Sequence, residues 1–279
     1  MSRPTRVALA PPGARSWLAD AVVAGGGELV DPAEAEVLVW SVPGAGDDLA
    51  AALDANPGIR WVQLPWAGVE RQVDAIRSHA DRTWTCAKGV YAEPVAELAC
   101  TLLLAGFRGL GGYARATTWT GPAGRNLHGA RVVVAGGGGI AGSLLRMLGP
   151  FGCDVTVVRR SPDPLPGAAR VAGPDGLDEA LAGADALVLA LALTPETAGL
   201  VDRRRLDLLA DHAWVVNVAR GGHVVTDDLV AALEAGTLGG AGLDVTDPEP
   251  LPDDHPLGDR PAVLVTPHGG NTPAMACPL

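Results

Sequence analysis

"RVVVAGGGGIAGSLLRML" (131–148) reads as strand, glycine turn and helix in one short run. Four apolar residues follow Arg131, four glycines follow Ala135, and Ile140, Leu144, Leu145 and Leu148 then recur at helical spacing. Written as G-x-G-x-x-G/A, the turn puts Gly136, Gly138 and Ala141 at the three small positions. Such glycines permit a tight turn and let a pyrophosphate approach the N–H groups that open the helix, where the dipole favours negative charge. A plain glycine-rich turn would not need the flanking strand and helix, so the reading is dinucleotide binding.

The next strand ends in "TVVRRSP", with Arg159, Arg160 and Ser161 where an NAD site expects an acid for the ribose 2′-hydroxyl. An acid there would repel a 2′-phosphate, and two unit charges 4 Å apart interact by about 4 kcal/mol at an effective dielectric of 20. A tenfold preference needs only about 1.4 kcal/mol. The expected cofactor is therefore NADP(H) in preference to NAD(H). The competing reading of the pair is two solvated surface arginines.

Outward from this unit, short apolar runs alternate with helical patterns along the whole chain. The expected strands are 6–10, 37–41, 61–65, 84–86, 131–136, 155–158, 186–192, 213–218, 241–245 and 262–266. Apolar strands separated by helices mean parallel sheets covered on both faces. The expected fold is α/β, with two doubly wound parallel-sheet domains, Rossmann-like or flavodoxin-like, and the active site in the cleft between them. Residues 1–99 form the substrate domain, 100–267 the dinucleotide domain, and 268–279 a short tail toward the first. Thr226 is expected to cap the helix "DDLVAALEAG", and Gly236 to close it.

The chain has 279 residues, a net charge of −11 and 48% hydrophobic residues, which suits two globular domains and disfavours nucleic acid or an anionic membrane as partner. Cysteines at 86, 100, 153 and 277 lack zinc-ligand or CxxC spacing, so no metal is expected. Free thiols, an N-terminus without a signal-peptide core and no apolar run of membrane length predict a cytoplasmic protein.

Three segments carry charged or titratable residues just past strand ends, where ligands of open α/β sheets bind. "VVNVARGG" brings Arg220, "GLDVTDPEPLP" brings Asp244 and Glu249, and "VLVTPHGG" brings His268. Arg220 offers a planar, permanently charged fork that matches a carboxylate. His268 brings an imidazole, the side-chain type best suited to protonate a developing alkoxide. Glu249 could hold its far ring nitrogen and fix the tautomer, and Gly270 with its neighbour leaves room for a nicotinamide. Together they describe a 2-keto acid held by its carboxylate, reduced at C2 and protonated by His268.

At these residues the chain resembles the D-isomer-specific 2-hydroxyacid dehydrogenases. The resemblance rests on "GGGGIAGSLLRMLGPFG", "LALTPETAGLVD", "VVNVARGGHVVTDDLVAALEAGTLGGAGLDVTDPEPLP" and "VLVTPHGGNTP", with "WVQLPWAGVE" and "GVYAEPVAELA" in the first half. It implies that Arg220 binds the substrate carboxylate and carbonyl, with Glu249 and His268 as the acid–base pair. It implies that Asp244, with backbone at Val218 and Ala219, holds the nicotinamide carboxamide. Gly139 and Ile140 would lie under the pyrophosphate and Leu191 and Ala192 near the adenosine. Ala67 and Gly68 would offer N–H groups to the substrate carboxylate. The family is usually homodimeric. Loops around Trp40, Trp66 and Tyr91 would select the substrate side chain, with glyoxylate or hydroxypyruvate as examples.

Relatives continue past the histidine loop with a helix, whereas only eleven residues follow His268 here. The expectation is a weakened stability or activity with the function unchanged. Two other readings fit the same motifs. One is a dinucleotide-sensing, corepressor-like binding protein, against which the charge and the absence of a basic segment argue. The other is a catalytically weak family member.

Overall fold

The computed structural model describes residues 3–13, 16–42, 46–272 and 275. They divide into two compact units, Met1–Val90 and Tyr91–Leu279. The division falls before the long helix Ala92–Phe107 and not inside it, where composition put the boundary, because that helix packs whole against the second sheet. Of the expected tail, residues 273, 274 and 276–279, with Cys277, lie outside the described residues.

The first unit is built from β1 (Arg6–Ala10), α1 (Ser16–Ala24), β2 (Glu28–Leu29), β3 (Val37–Trp40), α2 (Gly46–Ala55), β4 (Trp61–Leu64), α3 (Val73–Ser78) and β5 (Thr83–Cys86). Its strands are all parallel, in the order β2-β1-β3-β4-β5. This is the flavodoxin-like order, with a topological switch between β1 and β3. Leu38, Leu49, Leu53, Ile59, Val62 and Leu64 fill its core. Trp40, expected in a substrate-selecting loop, is 3% exposed in that same core. It closes β3, and its ring packs inward with the strand's apolar face.

The second unit opens with α4 (Ala92–Phe107) and α5 (Leu110–Arg115). There follow β6 (Arg131–Ala135), α6 (Gly139–Leu148), β7 (Asp154–Val158), β8 (Arg170–Ala172), α7 (Leu177–Leu181), β9 (Ala186–Leu189) and α8 (Arg203–Leu206). β10 (Trp214–Asn217), α9 (Thr226–Ala235), β11 (Gly240–Leu243) and β12 (Val263–Val265) complete it. The sheet is parallel throughout, in the order β12-β11-β10-β9-β6-β7-β8. In order of appearance that is 3-2-1-4-5-6-7, the Rossmann order with one strand added, and the switch lies between β6 and β9.

The pleat explains why the strands read as unbroken apolar runs. Val132 and Val134 face α4 and α6 with Ala186 and Val188, whereas Val133, Ala135, Leu187 and Leu189 face α7, α8 and α9. Alternate side chains thus reach opposite covered faces. Complete burial of a Val or Leu contributes about 1.5–3 kcal/mol, so each strand stabilises both layers.

Two expectations are corrected locally. β2 and β8 had no sequence signal, being two and three residues long at sheet edges. Thr226 is the first helical residue of α9 and does not cap it; its hydroxyl donates to the Asp247 carbonyl instead, at 2.7 Å. Gly236 does close α9, at φ 70°. Among the described residues no helix is long and apolar enough to cross a membrane, and no cluster of His, Cys, Asp or Glu is arranged to hold a metal. Cys86, Cys100 and Cys153 are free thiols.

Candidate active site

The glycine turn stands at the switch point. Gly136 has φ 115°, and a Cβ there would overlap the carbonyl of Ala190 at the end of the neighbouring strand, so only glycine fits. Gly138 precedes the first turn of α6, and a Cβ there would meet nothing within 4 Å. Open space thus lies above the N–H groups that begin the helix, at Gly139 and Ile140, and Ala141 is buried beneath them.

Arg159 follows β7 and folds back over the turn, its side chain lying against Gly137. Its Nε donates to the Ser161 carbonyl at 2.7 Å and a terminal nitrogen to the Asp163 carbonyl at 2.9 Å. The Ser161 hydroxyl donates to the Asp163 carboxylate. Arg160 is exposed and acts on Glu196 in the segment after β9. The Glu196 carboxyl is held below its usual range first by the Thr194 hydroxyl, with Arg160 adding a smaller share. Asp163 and Glu196 are carboxylates that sequence reasoning did not place here. Leu191 is half-buried and Ala192 exposed in that same segment.

β10 delivers Val218 and Ala219, both buried, and then Arg220. Asn217 fixes this turn: its Oδ1 accepts from the Ala219 N–H at 3.0 Å and its Nδ2 donates to the Arg220 carbonyl at 2.8 Å. A Cβ on the following Gly221 would overlap the Thr246 carbonyl, so the loops after β10 and β11 touch backbone to backbone. The Arg220 guanidinium donates to the Ala219 carbonyl at 2.6 Å and is partly exposed.

Asp244 follows β11 and is 3% exposed. Its carboxylate accepts from Thr266 Oγ1 at 2.6 Å, the Gly269 N–H at 2.7 Å and the Gly270 N–H at 3.1 Å. Its backbone carbonyl accepts from the His268 N–H at 2.9 Å. Asp244 therefore anchors the histidine loop, a task the sequence did not reveal. A carboxylate has about four acceptor sites, and the described residues use three of them. His268 itself has φ 51°, the one positive value among described non-glycine residues. Its Nδ1 lies 2.8 Å from Glu249 Oε1, and both side chains are partly exposed. Nε2 has no hydrogen-bond partner among the described residues. In the first unit, Ala67 is exposed and Gly68 half-buried, in the loop after β4.

Arg220, Asp244, Glu249 and His268 thus stand on loops after the carboxyl ends of three consecutive strands of one sheet, and hydrogen bonds tie Asp244 and Glu249 to the histidine loop. A scan of protein families matches residues 100–270 to the NAD-binding domain of the D-isomer specific 2-hydroxyacid dehydrogenases. The chain belongs to that family. It is accordingly an NAD(P)-dependent oxidoreductase acting on CH–OH groups.

Among curated family members, glyoxylate/hydroxypyruvate reductase A of Serratia proteamaculans is 41% identical over 135 residues, which is 48% of this chain and 43% of that protein. The match therefore takes in less than half the length of that relative. Among solved structures, a D-isomer specific 2-hydroxyacid dehydrogenase of Xanthobacter autotrophicus, in complex with NADPH and MES, is 28% identical. It covers 99% of this chain and 92% of its own, with a TM-score of 0.82. A D-lactate dehydrogenase of Lactobacillus jensenii with NAD+ shares the fold at 21% identity and a TM-score of 0.79, over 98% of this chain and 92% of its own. Asn217, His223 and Thr266 are the family-domain residues that sequence reasoning passed over, because each works through backbone groups that only the folded loops bring near.

Proposed function

We propose that this chain reduces a small 2-keto acid, such as glyoxylate or hydroxypyruvate, to the D-2-hydroxy acid, with NADP(H) preferred over NAD(H). The observation that carries the reading is the 2.8 Å contact between Glu249 and His268 Nδ1. It supports a ring held by one nitrogen with the other free for a substrate oxygen.

The residues fit a dinucleotide. The open space at Gly138 would take a pyrophosphate, and the Asn271 side-chain oxygen is buried without a partner among the described residues, suited to an amide donor. When bound, the reduced nicotinamide supplies a hydride to C2. Arg220 grips the carboxylate of the keto acid through its fork. His268 Nε2 delivers a proton to the carbonyl oxygen as it becomes an alkoxide, and water re-protonates the ring afterwards. Glu249 accepts from Nδ1 throughout, and so stabilises the imidazolium before transfer. Asp244, Val218 and Ala219 border the place for the carboxamide.

Arg159 and Arg160 support the 2′-phosphate. Arg159 spends two of five N–H donors on carbonyls, leaving three. Asp163 and Glu196 nearby reduce the net positive charge, so the preference is expected to be modest, roughly tenfold, a difference of about 1.4 kcal/mol. A homodimer in the cytoplasm completes the proposal, supported by the free thiols and by the exposed Leu110, Tyr113 and Trp119.

A spectrophotometric screen of 2-keto acids, run with NADPH and NADH in parallel, tests it. Oxidation of NADPH with glyoxylate or hydroxypyruvate is the expected result. No turnover with any 2-keto acid would overturn the substrate class, and a strong preference for NADH would overturn the role of the two arginines.

A further inference from the structure

His223 is fully buried, two residues beyond the tight Gly221 contact, and has no place in the chemistry above. Its ring lies between two loops. Nδ1 is 2.9 Å from the Arg220 carbonyl, and Nε2 is 3.3 Å from the Ala192 carbonyl. Both partners are acceptors only, so each nitrogen bonds only when it carries the proton. A neutral ring donates to one carbonyl at a time, and a doubly protonated ring to both.

The backbone around it zips the same two segments together. The Gly199 N–H donates to the Gly222 carbonyl at 2.8 Å, and the Val201 N–H to the His223 carbonyl at 2.8 Å. Val201 and Val224 form an isolated parallel bridge, and Leu193 packs against Gly222. One end of this seam is Ala192, in the segment read as bordering the adenosine. The other is Arg220, read as the carboxylate clamp. A leucine would fill the same volume without either bond.

We infer that His223 is a positioning residue that braces the Arg220 loop through Nδ1 and the nucleotide-side loop through Nε2, each bond made when that nitrogen carries the ring proton. The inference rests on the roles proposed for Arg220 and Ala192. Asparagine places its amide nitrogen where Nδ1 stands, and glutamine where Nε2 stands, so the two halves of the bridge can be removed separately.

The test compares His223→Asn, His223→Gln and His223→Leu. The readouts are the NADPH dissociation constant from nicotinamide fluorescence and KM for glyoxylate at saturating NADPH. His223→Asn keeps the Arg220 bond and should weaken NADPH about three- to tenfold, the range for one lost neutral hydrogen bond, with KM for glyoxylate little changed. His223→Gln should do the reverse, and His223→Leu should impair both. Thermal midpoints show that each variant is folded. Equal effects of Asn and Gln on the two constants, or none from either, would overturn the two-sided brace. NADPH binding needs no turnover, so the nucleotide half is judged even where the wild type reduces no keto acid, a result that would instead overturn the proposed reaction.

Discussion

The Asp244 carboxylate receives a hydroxyl and two amides from residues 266–270, so the loop after β12 hangs on one side chain of the strand beside it. That anchoring sets the aim of the imidazole, while Glu249 sets its rotation. For the proposed proton transfer, His268→Ala should lower kcat by about 10²–10⁴, the range for general acid–base catalysis. Steady-state assays with the wild type alongside check this, and a variant within twofold removes His268 from the mechanism. The placement of Arg220, Glu249 and His268 on neighbouring loops was legible because all three follow apolar strands of one parallel sheet. Asn217 and His223 were not. Asn217 bonds a carbonyl three positions on, and His223 one thirty-one positions back, and neither spacing leaves a pattern in the sequence.

At the scale of elements, α7 and α8 are held together by charge. Asp178 accepts from Arg204 at 2.6 Å and Arg205 at 2.8 Å, and these bonds hold its carboxyl down at about 2. A folded value below the unfolded one means a contribution that is complete above about pH 4 and fades as pH falls toward 2. Asp178 is 42% exposed, so solvent screening limits the contribution to less than about 1 kcal/mol. Asp178→Asn should therefore lower the thermal midpoint at pH 7 by up to about 3 °C, and the gap to wild type should narrow at pH 3. Circular dichroism melts at both values decide it; a gap that is the same at both would remove the ionic explanation. Element by element, the glycine turn and long helices announced themselves through spacing. β2 and β8 are too short to carry a period, and Thr226 looks like a cap until the loop after β11 supplies a nearer acceptor.

For the whole molecule, the two parallel sheets were readable because strands covered on both faces need unbroken apolar runs. Their order was not, since nothing local in β9 says that it pairs with β6 and not with β8. The proposed homodimer is a prediction at this scale. Sedimentation at micromolar concentration should give twice the 28.4 kDa chain mass, and a single-chain mass would overturn it. The positive φ of His268 carries a last consequence. Left-handed backbone costs a residue with a Cβ about 1–2 kcal/mol relative to glycine. Selection for heat resistance alone would drift toward glycine at this position, and so toward a sturdier protein without its proposed proton donor. A histidine kept there marks a point at which durability and turnover pull in opposite directions.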